Sequence, residues 1–219
     1  MHIKLPGLVG LLVISFTCFT ATADCNDEAN EARLDNRLEE SEIILADCLN
    51  DELERLARTY LLLGLTHYDN GNHRKAIKQY TKALETVPGY VTALANRGLS
   101  YSMSGKIKKA LKDFDAAIEI DPQYMRAYYY RAFALEKDRR EEEAIRDYSV
   151  ALQIAQTDDD KKRILYRRGV LNREIDQFDS AMSDFDAAIA LDPGYVDVYF
   201  SRALAFQHSD QNDAAMAEY

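Results

Sequence analysis

Apolar and small residues return along most of this chain with a period of 34 positions. Residues 57–90, 91–124, 125–158 and 162–195 can be set one under another so that the same residue types share columns, with a partial fifth copy over 196–219. One column holds Gly64, Gly98, Ala132, Gly169 and Ala203, and another Ala76, Ala110, Ala144, Ala181 and Ala215. Side chains this small let one helix backbone approach another. An aromatic column, Tyr80, Phe114, Tyr148, Phe185 and Tyr219, is suited to wedge into that contact. Within each copy the pattern breaks near Asn70-Gly71, Ser104-Gly105, Asp138-Arg139 or Ile175-Asp176, and Pro88, Pro122 and Pro193 close the second helix of their copies. A repeat of this length and content predicts an all-α solenoid of stacked helix-turn-helix units, about four complete and a fifth partial.

Ahead of the repeats, residues 24–56 keep helical periodicity through Leu38, Ile43, Ile44, Ala46 and Leu49 without the repeat's small columns. They are expected to form one or two helices of a degenerate capping repeat, because the first unit of a solenoid otherwise leaves apolar surface in water. Residues 1–23 read as an export signal. Lys4 precedes a short apolar run, and Ala21-Thr22-Ala23 offers small residues for cleavage. The run covers about 15 residues where roughly 20 are needed to span a bilayer, so no stable membrane span is expected after cleavage.

The columns carry a family resemblance. Their small residues, aromatics and closing prolines, with segments such as "KDFDAAIEIDPQY" and "SDFDAAIALDPGY", resemble the tetratricopeptide repeat, over residues 57–219 and in the form common in bacterial proteins. That resemblance implies a binding scaffold for a protein or peptide and no particular partner. Two modes of the family do not carry over. The carboxylate clamp resembles a Lys and Asn set missing here, and the asparagine ladder would occupy the column of Leu62, Asn96, Tyr130, Arg167 and Ser201, where only Asn96 fits.

Composition sharpens this reading. Loss of the signal removes Lys4 and no acid, leaving 26 basic residues against 37 acids. That balance disfavours nucleic acid and anionic lipid as partners. Export, most simply to a bacterial periplasm, leaves Cys25 and Cys48 as the only cysteines, and an even count in an oxidising compartment suggests one disulfide. The alternative is two unrelated thiols. A bridge closing that loop would contribute about 3 kcal/mol in the chain-entropy picture.

Charges also recur in register. Arg97, Arg131, Arg168 and Arg202 share one column, and Asp113, Asp147, Asp184 and Glu218 another, sixteen positions on; the first repeat has Leu63 and Gln79 instead. Gain and loss together predict salt bridges between the two helices of a repeat. The first helices should line an inner, concave face, and its stripe reads Arg126, Tyr129, Tyr130 and Phe133, then Arg163, Tyr166, Arg167 and Val170, then Phe200. Arginines among aromatics suit an extended or helical peptide with some negative charge. The competing reading is that Tyr129, Tyr166 and Phe200 only pack between helices.

Nothing in the sequence points to catalysis, a metal or a cofactor. His67, His73 and His208 lack zinc-binding spacing, Asp69 to Asn72 falls on a repeat turn without the length of a calcium loop, and no glycine-rich phosphate loop occurs. The chain is therefore read as a non-enzymatic scaffold binding through the inner groove. The alternative is a structural unit that associates with itself through an unfinished fifth repeat.

Overall fold

A computed structural model describes residues 27–32 and 38–208. The expected signal segment, Cys25 with its bridge to Cys48, and Ala215, Glu218 and Tyr219 lie outside the described residues. Contacts divide the chain into residues 1–56 and 57–219. The described part of the first unit holds α1 (residues 27–32) and the start of α2 (Leu38–Asp69), where the buried Ser41 hydroxyl donates to the Ala29 carbonyl at 2.8 Å. α2 runs unbroken through Leu56 and Ala57. The second helix of this segment continues into the first helix of the first repeat because no glycine or proline lies between Leu38 and Ala57 to stop it.

The second unit, besides the end of α2, comprises α3 (His73–Thr86), α4 (Val91–Met103), α5 (Ile107–Ile120), α6 (Met125–Lys137), α7 (Glu141–Ile154), α8 (Asp158–Glu174), α9 (Phe178–Leu191) and α10 (Val196–His208). Successive helices pack on one another, and no strand occurs among the described residues. The core is built as the columns require. Tyr80, Phe114, Tyr148 and Phe185 are fully buried. A Cβ added to Gly98 would stand 2.6 Å from Phe114 Cε1, and one on Gly169 2.7 Å from Phe185 Cε1, so these glycines make the room their aromatic partners fill.

The turn between paired helices needs one residue with positive φ. Gly71 and Gly105 supply it at 71° and 72°, whereas the third and fourth repeats place Arg139 and Asp176 there, each at 60°. Between the third and fourth repeats the three extra residues, 159–161, lengthen the first helix of the fourth repeat. α8 starts at Asp158, and Thr157 caps it, accepting from the Asp160 amide at 3.1 Å. Asp158, Asp159 and Asp160 thus sit in the first turn, where negative charge suits the helix dipole.

Arg97, Arg131 and Arg168 form the salt bridges expected of their column, and more. Arg97 grips Asp113 through Nε at 2.7 Å and Nη2 at 2.8 Å, Arg131 grips Asp147 at the same distances, and Arg168 grips Asp184 at 3.0 and 2.6 Å. The remaining nitrogen of each reaches back to the preceding repeat, Arg97 to Thr81 at 3.3 Å, Arg131 to Asp115 at 2.6 Å and Arg168 to Ser149 at 2.9 Å. Arg202 makes the same backward contact, to Asp186. The guanidinium groups of Arg97, Arg131 and Arg168 therefore tie the second helices of adjacent repeats together, using the planar fork that a lysine lacks.

Candidate functional site

Helices α6 and α8, which pair with α7 and α9, carry most of the aromatic and basic residues singled out from the sequence. Met125, Arg126, Tyr129 and Tyr130 of α6 face Asp160, Arg163 and Ile164 of α8 across a recess of about 230 Å³. This gathers Arg126, Tyr129, Tyr130 and Arg163 in one place. Tyr129 and Tyr130 meet edge to face with centroids 5.9 Å apart, Tyr129 also packs edge-on against buried Tyr148 at 5.5 Å, and Tyr130 lies 6.4 Å from Phe114. Both tyrosines are thus wall and core at once, so the two sequence readings describe different faces of the same rings. Burial raises the Tyr130 hydroxyl above its ordinary range, and the nearby Arg126 charge works against that rise.

The two arginines of the recess differ. Arg163 is committed to the acids of its own helix, to Asp160 at 3.1 Å and Asp159 at 3.6 Å. Arg126 is exposed and in no salt bridge among the described residues. It is the recess's uncommitted cation, set beside two tyrosine rings.

Phe133 and Arg167 form a second group. The Arg167 guanidinium lies over the Phe133 ring at 5.4 Å and donates to Glu136 Oε1 at 3.2 Å, while Lys137 covers the same ring at 5.0 Å. Glu136 also accepts from the Tyr148 hydroxyl at 3.2 Å. Burial raises the Glu136 carboxyl above the ordinary carboxylate range, with Arg167 opposing the shift. Arg167 thus spends most of its charge inside the protein, a partnership that sequence reasoning missed. Glu136 stands in the column of Tyr68, Ser102 and Arg173, where it is the one acid.

The remaining candidates lie elsewhere. Tyr166 and Val170 pack against the cluster around Leu165, Phe185 and Val198, with Tyr166 5.3 Å from Tyr195. Phe200, on α10, is 56% exposed. Among the described residues no group of three or more His, Cys, Asp or Glu is placed to hold a metal ion, and no helix is long and apolar enough to cross a membrane.

Comparison with known proteins adds the following. The family model described as the ETO1 C-terminal domain matches residues 34–207. No curated protein matches the sequence significantly. Among solved structures, PilF of Pseudomonas aeruginosa superposes with a TM-score of 0.70 at 22% identity over 78% of this chain and 75% of that one. YrrB, described as a tetratricopeptide-repeat protein with an unusual peptide-binding site, gives 0.60 at 20% identity over 73% and 80%. MamA of Desulfovibrio magneticus RS-1 gives 0.65 at 16% over 74% and 90%. At such identities the likeness shows the fold alone.

Proposed function

This chain belongs to the ETO1 C-terminal domain family and is a tetratricopeptide-repeat protein, and on that premise we propose that it is a protein-interaction scaffold that binds a peptide segment in the recess between α6 and α8. The observation that carries this reading is the meeting of Arg126 with the Tyr129 and Tyr130 rings around about 230 Å³ of space. Small-molecule sites run to roughly 300–1,000 Å³. A smaller recess with aromatic walls and one free cation suits a side chain or two of a peptide, with a carboxylate directed at Arg126. The peptide-binding site in the description of YrrB, a protein of the same fold, supports the same kind of partner.

The setting we propose is an exported one, with residues 1–23 removed and Cys25 bonded to Cys48, supported by the signal-like pattern and by the pairing of cysteines it leaves. Binding is tested by selecting peptides from a displayed random library on the full chain and titrating the selected sequences. Arg126→Glu, an exposed position, should weaken them at least about tenfold with helical content unchanged. Equal affinity for that variant would move the site away from the recess.

A further inference from the structure

The net charge of −10 conceals a polarised surface. Three columns on the outer side of the second helices read Arg74, Lys75 and Lys78 on α3 and Lys108, Lys109 and Lys112 on α5. On α7 the same columns turn to Glu142, Glu143 and Arg146, and on α9 to Asp179, Ser180 and Ser183. All six cations of these columns on α3 and α5 are exposed, and none is in a salt bridge among the described residues. Between Arg74 and Lys112 the only acid is Glu85. The two helices are neighbours, since both pack on α4, and Arg97 of α4 donates to Thr81 of α3 at 3.3 Å and to Asp113 of α5 at 2.7 Å. Their cationic stripes therefore form one patch, which the architecture does not need: α7 and α9 fold into the same position with other charges.

We propose that this face of α3 and α5 docks a short acidic segment of a partner protein. The chemistry follows from the size of the patch and from its borders. The charges extend roughly 6 Å along each helix, four residues at 1.5 Å apiece, on two helices that both pack on α4. Beyond them stand acids, Glu85 on α3, Asp115 and Glu119 on α5 and Glu141 to Glu143 on α7. A bilayer or a nucleic-acid duplex is an extended polyanion. A duplex interface alone buries on the order of 1,000–2,500 Å² of protein, enough to press those acids against like charge. A run of carboxylates two helical turns long covers the cations and stops short of the acids. Salt screens the interaction of exposed charges beyond about 8 Å at physiological ionic strength, so the remaining negative charge of the molecule does not cancel the local attraction.

The test is fluorescence anisotropy of a labelled octaglutamate peptide with the full chain, beside vesicles containing phosphatidylglycerol and a 20-base-pair duplex. The peptide should bind, at least tenfold more weakly at 0.5 M than at 0.05 M NaCl. The variant Lys75→Glu, Lys109→Glu, Lys112→Glu should bind it at least tenfold more weakly still. A control variant, Lys137→Glu, Lys161→Glu, Arg173→Glu, changes the net charge equally but lies outside the patch, and should stay within about twofold. Equal losses in both variants would overturn the proposal by reducing it to net charge. Binding of vesicles or duplex in preference to the peptide would overturn it, as would salt-sensitive self-association in place of peptide binding.

Discussion

Arg131 holds Asp147 through two parallel hydrogen bonds, of 2.7 and 2.8 Å, while its third nitrogen reaches Asp115 in the preceding repeat. One guanidinium thereby fixes both the pairing of α6 with α7 and the stacking of α7 beside α5. The Asp147 bond holds the Arg131 charge firmly in place and raises its affinity for the proton.

This relationship predicts a loss well above that of a surface ion pair. Asp147 is buried and Arg131 is 24% exposed, so Arg131→Ala should cost about 2 kcal/mol, between the roughly 0–1 of an exposed pair and the 3–5 of a fully buried one. Arg131→Lys keeps the charge but not the fork and should recover less than half. Urea denaturation of both variants measures this, and a loss under 0.5 kcal/mol for Arg131→Ala would show the bridge to be ornamental.

Arg139 and Asp176 hold the left-handed conformation that Gly71 and Gly105 hold in the first two repeats. Arg139→Gly and Asp176→Gly should each stabilise the fold by about 0.5–1 kcal/mol, since relief of backbone strain outweighs the entropy of a free glycine. A rise in thermal midpoint for each variant, additive in the pair, is the expected result.

The aromatic column allows a contrast of sign. The Tyr80 hydroxyl is buried with no hydrogen-bond partner among the described residues, and burial raises its pKa far above the ordinary tyrosine range, while the Tyr148 hydroxyl donates to Glu136. Phenylalanine already occupies this column at Phe114 and Phe185. Tyr80→Phe should therefore stabilise by about 1 kcal/mol and Tyr148→Phe should destabilise by about 1–2 kcal/mol, as chemical denaturation of the two variants will report.

Glu136 gives the molecule a pH signature. Its carboxyl is raised by burial, so the folded state binds its proton more tightly than the unfolded chain does. Its contribution is fully present below the unfolded pKa and declines as pH rises through the folded one. Glu136→Gln should accordingly gain stability relative to the native protein as pH rises from about 4 to about 7. A stability difference that is flat across this range would contradict the assignment.

What the sequence told of this fold, and what it hid, divides along one physical line. Contacts inside a repeat join residues at fixed separations, so the match of Gly98 with Phe114 and of Arg97 with Asp113 could be read from two columns sixteen positions apart. Contacts between repeats depend on how units stack. The reach of Arg131 to Asp115 was legible in principle, because Thr81, Asp115, Ser149 and Asp186 share a column, but the column's mixed chemistry masked it. The bond from Arg167 to Glu136 belongs to one pair of repeats and leaves no periodic trace. The inner stripe did not tell which of its residues open to solvent. Arg126 and Arg163 look alike in sequence, and only the acids at the start of α8 distinguish them.

The recess between α6 and α8 is the central claim, and hydrogen exchange with a library-selected peptide bound tests it most directly. Binding should slow amide exchange in residues 125–133 and 160–167 and leave α3, α5 and α10 unchanged. Protection confined to α10 or to the α3 and α5 face, with none at α6 and α8, would contradict the account.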